Sequence, residues 1–176
     1  MALTVNGTAM EKCNVNGSKC KQVNLNGTKI WCANKELLNS SVNILGTPTN
    51  INIAGTDLDT LTISKNNDYY RVITTQGDMW GNYLTRFPNA VDVTGYKKLK
   101  IKYKITIARN TGDVLFRMLL NDWWDSYYRS QTCLVNTSGE FTFDVSDFNN
   151  SYFGFRYGLS ANESIAVDVQ LELSET

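Results

Sequence analysis

Histidine is absent from all 176 residues. That absence removes the commonest general base, the Ser-His and Cys-His couples and the commonest zinc ligand, so any hydrolytic chemistry would have to rest on carboxylates. An excess of one charge is also missing, with 17 basic residues against 17 acidic ones. No global field therefore attracts nucleic acid or an anionic membrane surface. Apolar runs of about 18 residues are lacking, which excludes a spanning helix. The start Met1, Ala2, Leu3, Thr4, Val5 has neither the basic beginning nor the apolar stretch of a secretory signal, and the expectation is a soluble, unexported protein. The four cysteines, Cys13, Cys20, Cys32 and Cys133, match no zinc or CxxC spacing, so no metal and no cofactor are expected. A chain of this length has room for one full domain and a small appendage, and buries enough surface to need no staple.

What is present first is a repeat. Val5-Asn6-Gly7-Thr8, Val15-Asn16-Gly17-Ser18 and Leu25-Asn26-Gly27-Thr28 recur at ten-residue intervals. Each Asn-Gly can supply the two positive-φ positions of a type I′ turn, which predicts an antiparallel hairpin meander over residues 1–34. Two-residue loops set Leu3 opposite Met10 and Val23 opposite Ile30, in one apolar cross-strand row. Val5, Thr8, Leu25 and Thr28 form the next row on that face, while Glu11, Gln22 and Trp31 lie on the other. Such a thin sheet is marginal alone, so this face is expected to be an assembly surface, covered by the following domain or by a neighbouring copy. The same register sets Cys13 opposite Cys20 in a hydrogen-bonded pair, whose wider spacing suits a disulfide poorly, and both are expected as free thiols.

From residue 35 to 176 the pattern is strand and turn. In Lys98–Ile107, Leu99, Ile101, Tyr103, Ile105 and Ile107 alternate with Lys98, Lys100, Lys102, Lys104 and Thr106, a core face backed by a solvent face. Four lysines there read as a solubilising device that discourages edge pairing. Ile165, Val167, Val169, Leu171 and Leu173 repeat the logic, with Ala166, Asp168, Gln170 and Glu172 outward. Phe141, Phe143 and Val145, then Phe153, Phe155 and Tyr157, form further inward sets, and Val114–Leu120 is apolar on both faces and so central. With Ile51–Ile53, Leu58–Ser64 and Tyr69–Thr74 the count is about eight strands and no amphipathic helix, which predicts an all-β chain with a two-sheet antiparallel jelly-roll sandwich. Val91-Asp92-Val93-Thr94-Gly95-Tyr96 and Phe143-Asp144-Val145-Ser146-Asp147-Phe148 read as matching corners, in which Thr94 or Ser146 bonds the turning backbone and an aromatic plugs the sandwich end.

The candidate recognition segment is Asn121-Asp122-Trp123-Trp124-Asp125-Ser126-Tyr127-Tyr128-Arg129. Trp123, Trp124, Tyr127 and Tyr128 offer flat faces, and Asp122, Asp125 and Arg129 offer polar partners. That composition suits a sugar platform or a protein interface, and equally the core or rim of a hairpin. Trp80, in Met79-Trp80-Gly81-Asn82-Tyr83, marks a second aromatic loop that the sequence allows at the same end, unless it is packed by its own side chains. Asp122 with Asp125 is the local acid pair in an aromatic setting, but glycoside hydrolysis also requires a set separation and a raised pKa. Asp57 and Asp59 read as solvent-facing or as a weak cation site. No catalytic residue is assigned.

The run Asp92-Val93-Thr94-Gly95-Tyr96-Lys97-Lys98-Leu99, the later Asp144-Val145-Ser146 and the closing strand Ile165–Leu173 resemble carbohydrate-binding-module-like jelly rolls in virion proteins of phages infecting gut bacteria. The Asn-Gly-Thr ladder resembles the hairpin segments that begin many such tail- and capsid-associated proteins, and the two likenesses cover nearly the whole chain. No defined sugar- or calcium-binding signature maps onto this sequence. The resemblance implies a non-enzymatic virion protein assembled in the host cytoplasm. Its partners would be other virion proteins or further copies of itself, with a host-surface glycan as a further ligand. A glycan-binding adhesin module and a jelly-roll glycoside hydrolase are the alternatives.

Overall fold

In the computed structural model the described residues are 34–55, 59–109, 111–120 and 126–175, together with the backbone of short strands between residues 4 and 32. Those strands are β1 (Thr4–Val5), β2 (Thr8–Ala9), β3 (Asn14–Val15), β4 (Ser18–Lys19), β5 (Gln22–Leu25) and β6 (Thr28–Cys32). Val5 pairs with Thr8, Val15 with Ser18 and Leu25 with Thr28, the closing pairs that two-residue Asn-Gly loops require. Among the described residues each hairpin forms its own two-stranded ladder.

The third hairpin departs from the expected register. Asn24 pairs with Lys29, but Val23 then pairs with Trp31, not with Ile30. One extra residue on β6, Ile30, lies between these pairs as a β-bulge. The predicted pairing of Val23 with Ile30 is therefore corrected. Leu3, Met10, Cys13 and Cys20 lie outside the described residues.

The sandwich begins with β7 (Lys35–Leu38), β8 (Thr49–Gly55), β9 (Asp59–Asn66), β10 (Tyr69–Gln76), β11 (Gly81–Arg86) and β12 (Val91–Asp92). It continues through β13 (Lys98–Ile107), β14 (Asp113–Leu119), β15 (Tyr127–Leu134), β16 (Ser138–Asp144), β17 (Asn150–Leu159) and β18 (Ser164–Ser174). The first sheet runs β16-β13-β18-β10-β9, with β7 also on β18; the second runs β15-β14-β17-β11-β8, with β12 also on β17. Every pairing within both sheets is antiparallel. No helix occurs among the described residues.

The core is built by the alternation visible in the sequence. Leu99, Ile101, Ile105, Val167, Val169 and Leu171 of the first sheet meet Val114, Phe116, Met118, Phe153 and Phe155 of the second, all buried. Phe116 touches Tyr103, Phe141, Phe153 and Phe155 at ring-centroid distances of 5.6–6.2 Å, in the tilted and offset arrangements that aromatic quadrupoles favour.

Both corners are present, with a different hydrogen-bond logic from the one expected. The aspartates, not the hydroxyl residues, hold the turning backbone: the Thr94 and Ser146 N–H groups donate to Asp92 Oδ1 and Asp144 Oδ1, each at 2.9 Å. These are Asx turns, which a carboxylate makes more strongly than a hydroxyl because its accepting oxygen is charged. The Ser146 bonds hold Asp144 below the usual carboxylate range.

Candidate functional site

Strand parity decides what the second sheet shows to solvent. Because Val114, Phe116 and Met118 face the core, Asp113, Leu115, Arg117 and Leu119 face outward. By the same rule Tyr152, Gly154, Arg156 and Gly158 of β17 and Asn82, Leu84 and Arg86 of β11 share that outer face. Its centre is a small apolar floor. Leu84 and Leu119 are both fully buried there, and a Cβ on Gly154 would lie 3.3 and 3.4 Å from their methyls. Glycine in this strand is what lets the two leucines close over the backbone.

Around the floor, guanidinium groups support aromatic rings. Arg117, only 5 % exposed, lies 4.2 Å from the centroid of Tyr127, which is itself 40 % exposed. Arg86 lies 5.5 Å from the Tyr152 centroid, and Arg156 Nε donates to Asn82 Oδ1 at 3.2 Å. Such cation–π contacts fix ring orientation while leaving ring surface available to a ligand.

The face ends in a shallow depression of about 410 Å³, bordered by Trp80, Asn82, Arg109, Asp113 and Ser160, with Gly81, Gly112 and Gly158 among its lining. Trp80 is 57 % exposed and Met79 beside it is exposed as well. Arg109 is a fixed wall: Nη2 donates to the Gly158 carbonyl at 2.5 Å and Nη1 lies 3.3 Å from Glu163.

The structure divides the predicted recognition segment. Asp122, Trp123, Trp124 and Asp125 lie outside the described residues. Their stem is closed by the Leu120 N–H donating to the Ser126 carbonyl at 2.9 Å and by Leu119 opposite Tyr127. Tyr127 reaches the outer face. Tyr128 does not: its ring stacks on Phe148 with centroids 4.2 Å apart and planes 2° from parallel. Arg129 joins the same brace, 3.3 Å from Asp147 and 5.7 Å from the Phe148 centroid. Tyr128 and Arg129 thus tie the start of β15 to a corner.

Trp80 and the Leu120–Ser126 closure lie at opposite ends of the second sheet, and Trp123 and Trp124 between Leu120 and Ser126 lie outside the described residues. Asn82 is level with Gly158 and Asp113, while the stem leaves β14 beyond Leu119, level with Tyr152. The seven residues of β14 separate the two by about 20 Å. Sequence reading missed Arg86, Arg117, Tyr152 and Asp113, and named Asn82 only as part of the Trp80 loop. They come from three strands, β11, β14 and β17, and the available signal was Gly154 and Gly158 inside an apolar strand, a mark of close approach.

A second cleft, about 430 Å³, lies on the outer face of the first sheet and includes Glu36, Asp68, Lys100, Lys102, Gln170 and Glu172. It has no aromatic side chain, and Lys100 is already paired with Glu140 at 2.9 Å. Asp57 lies outside the described residues, and Asp59 accepts from Asn50 Nδ2 at the sandwich edge. No cluster of three or more potential metal ligands occurs among the described residues.

No family model and no curated protein sequence matches the chain. Its fold is similar to solved β-sandwiches. The K3 cleaved adhesin domain of Lys-gingipain from Porphyromonas gingivalis aligns at TM-score 0.55 and 11 % identity, covering 80 % of this chain and 100 % of that one. A carbohydrate-binding module of the β-sandwich superfamily, described as having promiscuous specificity, aligns at TM-score 0.51 and 11 % identity over 76 % of this chain and 59 % of the other. The family 11 carbohydrate-binding module from Clostridium thermocellum, solved with a β-1,3-1,4-mixed-linked tetrasaccharide, aligns at TM-score 0.49 and 12 % identity over 80 % and 95 %. At these identities the likeness establishes the fold: an antiparallel β-sandwich of the kind seen in carbohydrate-binding modules and adhesin domains.

Proposed function

We propose that this chain is a non-catalytic glycan-binding module that reads an extended saccharide along the outer face of its second sheet. The observation that carries the reading is the composition of that face: exposed aromatic surface at both ends, Trp80 at one and Tyr127 at the other, with arginine and amide groups between. Flat rings stack on the apolar faces of sugars and the polar groups bond hydroxyls. The named fold neighbours are carbohydrate-binding modules and adhesin domains, which supports this reading ahead of a purely structural role. Attachment to a virion rests on the sequence resemblance alone and is compatible with glycan binding, since such a module would present the particle to a host surface.

An oligosaccharide array tests the proposal. The folded chain is expected to retain a subset of glycans, and Tyr127→Ala or Tyr152→Ala to weaken retention while the chain stays folded. Absence of retention across the array refutes it.

A further inference from the structure

The depression beside Trp80 has features that the rest of the face lacks. Its lining includes Gly112 and Gly158 at the start of β14 and the end of β17. Gly158 carries its missing side chain outward, because Tyr157 and Leu159 on either side are buried. A Cβ built there meets nothing nearer than the Gly81 carbonyl at 3.9 Å. The protein could therefore accept a side chain at 158, which would project into open space. Gly112 is constrained differently: at φ 129° a Cβ would lie 3.3 Å from Arg109 Nε and Nη2. Between these positions the backbone is bare, and Trp80 stands beside it with more than half its surface exposed. A bare peptide floor with an indole wall accommodates a flat ring.

The polar groups select among such rings. Arg109 is paired with Glu163, so its charge is compensated within the protein. Asp113 is exposed and has no ion pair or hydrogen bond among the described residues. The uncompensated charge on the lining is thus one carboxylate, which accepts hydrogen bonds from hydroxyls and repels a second anion. Asn82 spends its carbonyl oxygen on Arg156 Nε, leaving its NH₂ to donate. Ser160 can do either. Acceptor, donor and hydroxyl around an aromatic wall complement a ring bearing several hydroxyls and no charge.

We propose that this depression is a subsite for one uncharged pyranose unit, with Trp80 stacking on the sugar and Asp113 and Asn82 bonding its hydroxyls. The inference rests on the glycan-binding reading and narrows it to neutral glycans. The volume lies in the range of small-ligand sites.

The test uses the full chain on an array of neutral β-glucan, galactan and mannan oligosaccharides beside acidic polygalacturonate and hyaluronate oligosaccharides. Two variants are compared with it: Trp80→Ala, which removes an exposed side chain, and Gly158→Val, which fills the depression from a position with room for it. The expected result is retention of neutral oligosaccharides in preference to acidic ones, with at least a tenfold loss of affinity in both variants at an unchanged unfolding midpoint. Preference for the acidic oligosaccharides overturns the subsite's chemistry. Undiminished binding in both variants, with loss in Tyr152→Ala, overturns the subsite and leaves glycan binding standing. Loss in Trp80→Ala alone, with Gly158→Val folded and binding as the parent does, places the sugar outside the depression and overturns the assignment. No retention by the parent chain overturns both readings. If Gly158→Val fails to fold, Gly158→Ala takes its place with the same expectations.

Discussion

Asp168 sits on the outer side of the first sheet, yet it is only 1 % exposed. Its carboxylate accepts from Arg71 Nε at 2.6 Å, Arg71 Nη2 at 2.8 Å and Asn66 Nδ2 at 2.6 Å. Bidentate pairing with a guanidinium, closed by a third donor, is what makes a carboxylate tolerable at that burial. Asp168→Asn should therefore destabilise the fold by about 3 kcal/mol, the low end for a broken buried pair because Arg71 keeps 27 % of its side chain in contact with solvent. Urea unfolding of the variant measures this, and a loss below about 1 kcal/mol would show the pair to be dispensable. Sequence alternation placed Asp168 outward. Its burial was not legible, because the cover comes from Arg71 and Asn66, remote in the chain.

Tyr157 gives a second prediction at the same scale. Its hydroxyl lies between the sheets, 2.5 Å from Thr74 Oγ1, 2.8 Å from Thr85 Oγ1 and 3.2 Å from Asn50 Oδ1. Burial, partly opposed by these bonds, pushes its pKa from 10.0 to about 12. A raised pKa favours the neutral phenol in the folded chain. The associated stability is full below pH 10 and is lost as pH rises from there to about 12. Unfolding midpoints measured across that window should fall, and the fall should shrink in Tyr157→Phe. An equal fall in the variant would assign the alkaline sensitivity elsewhere.

At the scale of elements, the strands were legible wherever period-two alternation was strong, as in β13 and β18, where all ten positions of β13 pair with β18. Their ends were not. The expected strands Ile51–Ile53 and Tyr69–Thr74 extend to Thr49–Gly55 and Tyr69–Gln76, because ladder hydrogen bonds continue through Thr, Asn and Gln, which carry no hydrophobic signal. The bulge at Ile30 was invisible for a related reason: nothing in the Asn-Gly chemistry fixes pairing beyond the first pairs. Gly154 is where an element depends on a single residue. A Cβ there would lie 2.8 Å from the Thr85 carbonyl, a backbone atom that cannot rotate away, and would press on Leu84 and Leu119. Gly154→Ala should cost about 1–3 kcal/mol through a separation of β11 from β17. Chemical denaturation reads the loss, and amide exchange should quicken along that pair of strands. A variant as stable as the parent would mean that the sheet spreads there at no cost.

For the whole molecule, the all-β sandwich was legible and the proposed recognition face was not. Binding residues on a sheet are brought together by register, so Trp80, Asn82, Asp113 and Tyr152 share a face only after β11, β17 and β14 are paired. Conspicuous local sequence drew the reading to residues 122–129, and there Tyr128 and Arg129 proved to be bracing groups.

Each hairpin pairs with itself among the described residues, whereas β7 begins at Lys35 and completes the first sheet against β18, with Asn34 Nδ2 donating to Glu172 at 2.6 Å. A chain beginning at Asn34 should thus keep every ladder of the sandwich. Its unfolding midpoint is expected within about 4 °C of the full chain, the shift of roughly 1 kcal/mol in a domain of this size, and its glycan retention should be unchanged. Two-stranded ladders gain little stability alone, so the hairpins should instead carry self-association: mass measurement should find the full chain oligomeric and the shortened one monomeric. A monomeric full chain would remove the self-association role. A shortened chain that fails to fold would show that residues 1–33 belong to the sandwich's own stability.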